Sequence, residues 1–195
     1  MKKRIVIFAS GNGTNAQNLI EHFQYNEFAE VVLGLSNKKD AMVLERFNSL
    51  KVENKLFTKK ELNSSEGVLK LLKETKADLI ILAGFLLKFP SVILKDYPDK
   101  VINLHPALLP KYGGKGMYGH YVHEAVVANK ETETGITIHY VNANYDEGAI
   151  IFQKSVNLSE NETAETVAKK IHKLEYQYFP EVIEDLIVSE MKKES

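Results

Sequence analysis

The sequence predicts an α/β fold: an open, mostly parallel twisted sheet with an antiparallel strand pair and helices on both faces. Short apolar runs alternate with segments of helical period, which is typical of βαβ units. Two of these runs are uninterrupted, as in strands that are buried on both faces. A later run alternates apolar and polar residues, and together with the run after it fits an antiparallel pair.

The N-terminal half is predicted to be Rossmann-like. Residues 5–9 are continuously apolar and predict the first strand. A helix follows from Thr14, because apolar residues recur there at helical spacing: Ala16, Leu19, Ile20 and Phe23. A second strand over residues 31–35 precedes a short helix over residues 40–49 and a strand within residues 51–57. Three residues of the short helix are expected to face inward: Met42, Val43 and Phe47.

The rest of the chain continues the alternation. Val68, Leu69 and Leu72 predict an amphipathic helix that ends near Thr75. Strands are then predicted over residues 79–83, 101–105, 135–141 and 149–156. The third of these has two faces, with Ile136, Ile138 and Tyr140 on one and Thr137, His139 and Val141 on the other. The chain is helical from Thr163, and Pro180 is expected to kink or restart that helix.

Size and composition bound the function. The 195 residues, 44% of them hydrophobic, suit a single domain over residues 1–195. The balance of 25 Lys plus Arg against 26 Asp plus Glu argues against nucleic acid as a partner. The lack of cysteine excludes disulfides and thiolate metal sites. The N-terminal apolar run of five residues is too short for a signal peptide or a membrane span, so we expect a cytoplasmic protein that does not bind membranes.

The first chemical feature is a turn of sequence Ser-Gly-Asn-Gly-Thr-Asn over residues 10–15, between the first strand and the first helix. Its glycines allow a ligand to approach the backbone closely, and the free amides of a helix start favour an anion such as phosphate. A tight turn that only caps the helix is the alternative. The turn is not a Walker A motif, because no Gly-Lys-Ser/Thr follows it.

The second feature is the pair Asn103 and His105, which point to the same face at the end of a predicted strand. An amide can stabilise a developing oxyanion, and an imidazole can exchange protons near neutral pH. A histidine that merely bonds a loop carbonyl is the alternative. The third feature is Asp146, in the loop between the two late strands. Its side chain either is solvated in a turn or pairs with His105 and raises the pKa of that histidine, and sequence spacing does not decide between these.

These features occur in an order that resembles the glycinamide ribonucleotide transformylases, a folate-dependent formyltransferase family. The resemblance is carried by the turn at residues 10–15, Ala83-Gly84-Phe85, Asn103-Leu104-His105-Pro106, Leu108-Leu109-Pro110 and Asp146-Glu147-Gly148. Such enzymes transfer a formyl group from 10-formyltetrahydrofolate to the amine of 5-phosphoribosylglycinamide in purine synthesis, and they need no metal. The resemblance therefore implies small-molecule substrates. We expect a monomer or a weak homodimer.

The resemblance also implies roles for residues. It implies a phosphate-binding half over about residues 1–100 and a folate-binding, catalytic half over about residues 101–195. It assigns catalysis to Asn103, His105 and Asp146. It assigns substrate binding to Gly11, Asn12, Gly13, Thr14, Asn15, His172 and Glu175, although His172 is also interpreted as a helix-surface residue. It assigns folate binding to Leu86, Leu87, Lys88, Phe89, Asn103, Asn142, Ala143, Asn144, Tyr145 and Asp146.

The chain departs from the family in two regions. Leu87-Lys88 stands where an arginine-bearing segment is usual, and no arginine occurs near residues 63–66. The glycine-rich residues 113–120 form either a mobile lid or a flexible connection. We interpret His120 and His123 as structural or solvent-facing, and His139 either as a second layer around the site or as a core histidine.

Three other functions remain open. Formyltetrahydrofolate deformylases have a similar core but carry an additional N-terminal domain and lack the turn at residues 10–15. Methionyl-tRNA formyltransferases share the Asn-x-His-Pro core but add a C-terminal RNA-binding domain, whereas only a helix is predicted here and no basic face is evident. A non-catalytic nucleotide-binding module would explain the turn but leave Asn103, His105 and Asp146 without a role.

Overall fold

A seven-stranded sheet forms the centre of the structure, a computed structural model that describes residues 1–194. Its strands are β1 (Lys3–Phe8), β2 (Ala29–Ser36), β3 (Asn54–Leu56), β4 (Leu79–Leu82), β5 (Val101–His105), β6 (Glu133–Tyr140) and β7 (Ile150–Asn157). The strand order is β3-β2-β1-β4-β5-β6-β7. β1 to β5 pair in parallel, whereas β6 and β7 pair antiparallel. The predicted α/β class and its antiparallel corner are confirmed.

Helices lie around the sheet. They are α1 (Thr14–Phe23), α2 (Val43–Ser49), α3 (Lys59–Leu62), α4 (Lys70–Glu74), α5 (Ser91–Leu94), α6 (His120–Ala128) and α7 (Ala164–Glu194). Ser65–Leu69 forms a wider helical turn before α4. α3, α5 and α6 were not predicted. Within residues 1–194, no helix is both long and apolar enough to cross a membrane.

The structure overturns one expectation about helices and narrows a second. Met42 does not face inward: its side chain is 53% exposed just before α2, while Val43 and Phe47 are fully buried. Pro180 does not restart the last helix, because α7 runs through it as one element. Proline fixes φ near the helical value and removes one donor, so a helix held by packing on both sides of the proline can continue. Phe179 and Ile183 provide that packing here, since both are fully buried.

The central strands are buried on both faces, which explains their uninterrupted apolar sequences. In β1, Ile5 and Ile7 pack into one core, and Val6 and Phe8 pack into a second core on the opposite face. The polar face of β6 is also buried, since Thr137 and His139 are at most 2% exposed. The alternation in β6 therefore reflects an internal polar layer rather than contact with solvent.

Candidate active site

A cavity of about 720 Å³ opens at the carboxyl ends of β1, β4 and β5. This edge is where open α/β sheets bind ligands. The cavity brings together residues predicted from different parts of the chain: Gly11, Asn12, Gly13, Thr14, Asn15, Leu86, Asn103, His105, Tyr145, Asp146, His172 and Glu175. It is also lined by residues 114–120 and by His123.

Six residues expected to bind folate are not among the described residues that line this cavity: Leu87, Lys88, Phe89, Asn142, Ala143 and Asn144. The ring of Phe89 is buried in the core instead, with its centroid 5.3 Å from that of Phe8. Lys88 lies outside the lining, but its Nζ stands 5.9 Å from the ring centroid of Tyr145, which does line the cavity. Of the residues assigned to folate, Leu86, Asn103, Tyr145 and Asp146 line the cavity, and their role in folate binding stays a prediction.

Asn103, His105 and Asp146 meet at the floor of the cavity. The two carboxylate oxygens of Asp146 face different partners, with Oδ1 3.5 Å from Asn103 Nδ2 and Oδ2 3.7 Å from His105 Nδ1. A third contact fixes the carboxylate, because Oδ2 accepts a hydrogen bond of 2.9 Å from the backbone amide of Gly114. The structure therefore brings Asp146 next to His105, a pairing that the sequence left open.

Asp146 raises the pKa of His105, which is one of the two alternatives that the sequence left open, but the net shift of that pKa is downward. His105 Nε2 lies 2.7 Å from the carbonyl oxygen of Tyr112. A carbonyl only accepts, so Nε2 carries the hydrogen and Nδ1 faces Asp146. Burial is the main influence on His105 and lowers its pKa, and the opposing effects of Asp146 and the Tyr112 carbonyl do not overcome it. The neutral imidazole is favoured, with Nδ1 free to accept a proton.

Asp146 stays a carboxylate despite its burial. Burial is the largest single influence and raises the pKa of Asp146, but the neighbouring side chains of His139 and His105 and the backbone amide of Gly114 together bring that pKa below its ordinary value. The loop between β6 and β7, which carries Asp146, requires a glycine at position 148. A Cβ at that position would stand 1.6 Å from the carbonyl oxygen of Tyr140, so no larger residue fits without moving the backbone.

His139 belongs to the site. It lies directly opposite Asn103 in the antiparallel register of β5 and β6, and its Nε2 is 3.1 Å from Asn103 Nδ2. Its Nδ1 donates to the carbonyl oxygen of Tyr140 at 2.9 Å, so Nε2 can accept from the asparagine amide. This contact orients the Asn103 side chain. Of the two interpretations made from the sequence, the structure supports a second layer around the site.

The glycine-rich turn forms the opposite wall of the cavity. Gly13 has φ of 77° and begins α1, whose first-turn amides point into the space beside Asn12 and Thr14. The side-chain Nδ2 of Asn15 donates to Glu175 Oε2 at 3.0 Å, which links the turn to α7. The turn therefore offers uncharged donors to a ligand from a rigid helix start.

The α7 residues sit beside this turn. Glu175 is only 6% exposed, and its Oε2 lies 3.1 Å from His172 Nδ1. The hydrogen bond to Glu175 is the main influence on His172 and raises its pKa. His172 is therefore more than a surface residue, although over half of its side chain is exposed.

Sequence reasoning missed His123. It lies on α6 with 7% exposure and lines the cavity, so of its two interpretations the solvent-facing one is wrong and the structural one stays a prediction. Within residues 1–194, His123 Nδ1 and Asn15 Oδ1 are buried atoms that lack a hydrogen-bond partner. Two unsatisfied polar atoms in one cavity are typical of a site that a ligand completes. The apolar i, i+4 pair Val122 and Val126 is the signal by which α6 was detectable.

Metal chemistry has no candidate centre in the described part of the chain, where no group of three or more His, Asp or Glu side chains is arranged to hold an ion. The cavity instead combines an anion-binding helix start, an amide donor, a buried imidazole and a carboxylate. This set suits acid–base and oxyanion chemistry on a small ligand that carries an anionic group.

Known proteins share both the sequence and this architecture. The formyl transferase family matches residues 3–183. The chain is 32% identical over 190 residues to a phosphoribosylglycinamide formyltransferase of Bacillus subtilis (strain 168), covering 95% of each protein. It is 35% identical over 188 residues to the chloroplastic phosphoribosylglycinamide formyltransferase of Arabidopsis thaliana, covering 93% of this chain but 64% of that protein. The chain thus spans slightly less than two thirds of the plant relative.

Solved structures agree. The crystal structure of phosphoribosylglycinamide formyltransferase from Bacillus halodurans superposes with a TM-score of 0.85 at 33% identity, covering 95% of each chain. The enzyme of the same name from Streptococcus pneumoniae TIGR4 gives a TM-score of 0.83 at 34% identity, covering 95% of this chain and 99% of that one. Since the family match runs from β1 into α7, the chain belongs to the formyl transferase family.

Proposed function

We propose that this protein is a phosphoribosylglycinamide formyltransferase. It transfers the formyl group of 10-formyltetrahydrofolate to the amine of 5-phosphoribosylglycinamide and yields formylglycinamide ribonucleotide and tetrahydrofolate. The observation that carries the proposal is the convergence of Asn103, His105 and Asp146 with an anion-binding helix start in one cavity of about 720 Å³. Relatives that bear this enzyme's name, and that align over nearly the whole chain, support the same conclusion.

The proposed reaction follows from the side chains. The substrate amine attacks the formyl carbon, a C–N bond forms, and the carbonyl oxygen becomes an oxyanion. Asn103 Nδ2 donates to that oxyanion, because its amide is already oriented by the contact of 3.1 Å with His139. His105 Nδ1 accepts the proton that the attacking amine loses. The proton then passes to the folate nitrogen as its bond to the formyl carbon breaks.

Asp146 stabilises the imidazolium that forms transiently on His105. Its Oδ2 stands 3.7 Å from His105 Nδ1, close enough for the carboxylate to stabilise a positive charge on the imidazole. The depressed pKa of Asp146 keeps the carboxylate charged at neutral pH, and the lowered pKa of His105 keeps the imidazole ready to accept a proton. The two shifts are those that a base and its anionic partner need.

Substrate and donor occupy different walls of the cavity in this proposal. The phosphate of the ribonucleotide binds the turn at residues 11–15, and its sugar lies near His172 and Glu175. The folate lies between Leu86 and the loop residues Tyr145 and Asp146, which line the cavity. We further propose a single domain with a phosphate-binding N-terminal half and a catalytic C-terminal half, acting in the cytoplasm as a monomer or weak homodimer without a metal.

The proposal is tested by mixing the protein with 10-formyltetrahydrofolate and glycinamide ribonucleotide and following deformylated folate by absorbance. We expect turnover that requires the ribonucleotide and is lost in His105→Ala. Folate deformylation that proceeds equally well without the ribonucleotide would indicate a hydrolase instead. Absence of turnover, combined with binding of a nucleotide, would favour a non-catalytic module.

A further inference from the structure

We propose that Arg46, on α2, is a positioning residue for the phosphate-binding turn and supplies the positive charge that the turn itself lacks. Residues 11–15 contain no ionisable side chain, and the nearest acid, Glu175, accepts a hydrogen bond from Asn15. A phosphate bound there would therefore meet helix amides beside a carboxylate. This inference rests on the proposed function, in which the substrate phosphate binds this turn.

The guanidinium of Arg46 holds the turn by three contacts. Its Nε donates to the carbonyl oxygen of Asn12 at 2.7 Å, and its Nη2 donates to Asn12 Oδ1 at 2.5 Å. Its Nη1 donates to Gln17 Oε1 on the first turns of α1. The planar guanidinium therefore binds both the backbone and the side chain of Asn12 and links them to α1. Lysine cannot reproduce such a fork, because its donors radiate from a single nitrogen.

A second residue of α2, Val43, also contacts the turn. The backbone amide of Val43 donates to the carbonyl oxygen of Gly11 at 3.1 Å. A Cβ at Gly13 would stand 2.3 Å from Val43 Cγ2, so α2 lies directly against the turn, and Gly13 is required there at its φ of 77°. Arg46 thus extends from a helix that already packs against the turn, and its side chain is partly buried.

The charge of Arg46 is not neutralised by the protein. Its three acceptors are neutral oxygens, and no carboxylate among the described side chains, residues 1–193, forms an ion pair with it. The nearby Lys39 provides a contrast. It is exposed and shares a small cleft with Gly11 and Asn12, but among the described residues it forms no hydrogen bond to the turn. A fixed, partly buried cation behind the amides should attract a phosphate more strongly than an exposed, screened one.

The test compares Arg46→Gln and Arg46→Lys with the wild-type protein, and Lys39→Gln serves as a matched control that removes the same charge. We expect Arg46→Gln to raise KM for glycinamide ribonucleotide by roughly ten-fold while kcat changes little, because the contact acts on binding and not on the reacting atoms. The KM of Arg46→Lys should lie between those of the wild type and Arg46→Gln, and the KM of Lys39→Gln should equal that of the wild type. The difference between wild type and Arg46→Gln should shrink as salt is added.

Calorimetric binding of ribose 5-phosphate separates this inference from the proposed function. If the wild type transfers formyl but Arg46→Gln keeps wild-type KM and affinity for ribose 5-phosphate, the inference is wrong and the proposed function stands. If formyl transfer is absent but ribose 5-phosphate binds the wild type about ten-fold more tightly than Arg46→Gln, the proposed function fails and Arg46 retains its role. If the wild type does not bind ribose 5-phosphate, the role of Arg46 is refuted as well.

Discussion

Replacing Asn103 with alanine tests the oxyanion-stabilising role of this side chain. One hydrogen of Nδ2 is directed to His139 Nε2 at 3.1 Å, whereas the other faces Asp146 Oδ1 at 3.5 Å, the outer limit of a hydrogen bond. The second hydrogen can therefore form a hydrogen bond to an oxyanion in place of its long contact with Asp146. Loss of one such donor costs about 3 to 4 kcal/mol in enzymes with buried sites. Since Asn103 is only half-buried, we expect the lower part of this range, about 100-fold in kcat.

The assay is the steady-state rate at saturating folate donor and ribonucleotide, with KM measured for both. Asn103→Ala should lower kcat and leave KM for the ribonucleotide nearly unchanged, because the contact exists only in the transition state. Asn103→Asp should be slower still, since it sets a second carboxylate next to Asp146. Asn161→Ala, on an exposed turn before α7, is the matched control. A kcat for Asn103→Ala within about five-fold of wild type, less than one donor is worth, would refute the reasoning.

Three further outcomes follow from the same contacts. Asp146→Asn should remove the anion that raises the pKa of His105. The acidic limb of the pH profile of kcat/KM should therefore move to lower pH while the maximal rate falls, and a limb that does not move would contradict the pairing of Asp146 with His105. Gly148→Ala should destabilise the fold by about 1 to 3 kcal/mol in urea unfolding, because its Cβ would overlap the Tyr140 carbonyl; an unchanged midpoint contradicts this geometry. Burial lowers the pKa of His105 and His123 in the folded state below the ordinary value. As the pH falls below about 6.5, the unfolded chain therefore binds protons before the folded chain does. The free energy of unfolding should decrease below that pH, and it should decrease less in His123→Leu.

The parts of the fold that could be predicted are those set by local pattern. Strands buried on both faces have continuous apolar sequences, and the glycines after β1 identify the turn into α1. The helices that were missed are short or follow an irregular segment. α3 and α5 have four residues each, too few to establish a helical period, and α6 follows the glycine-rich residues 113–119.

The site was predictable to the extent that it depends on strand period. Asn103 and His105 share a face because side chains alternate along β5, and both line the cavity. The contact between His105 and Asp146 depends on the path of the loop between β6 and β7. The contact between Asn103 and His139 depends on the register of β5 and β6. Burial also outweighs the effect of Asp146 on the pKa of His105, and burial is a property of the whole fold.

The central claim is that the formyl group is transferred to the substrate amine within this cavity. The most direct measurement uses 10-formyltetrahydrofolate labelled with carbon-13 in the formyl group and follows the label by NMR in the presence of glycinamide ribonucleotide. We predict that the label appears as a formamide on the glycinamide nitrogen, that it does so in the wild type and the Asn161→Ala control, and that it is lost in His105→Ala. Label that accumulates as free formate, or that reaches the amine equally fast in His105→Ala, would contradict this account.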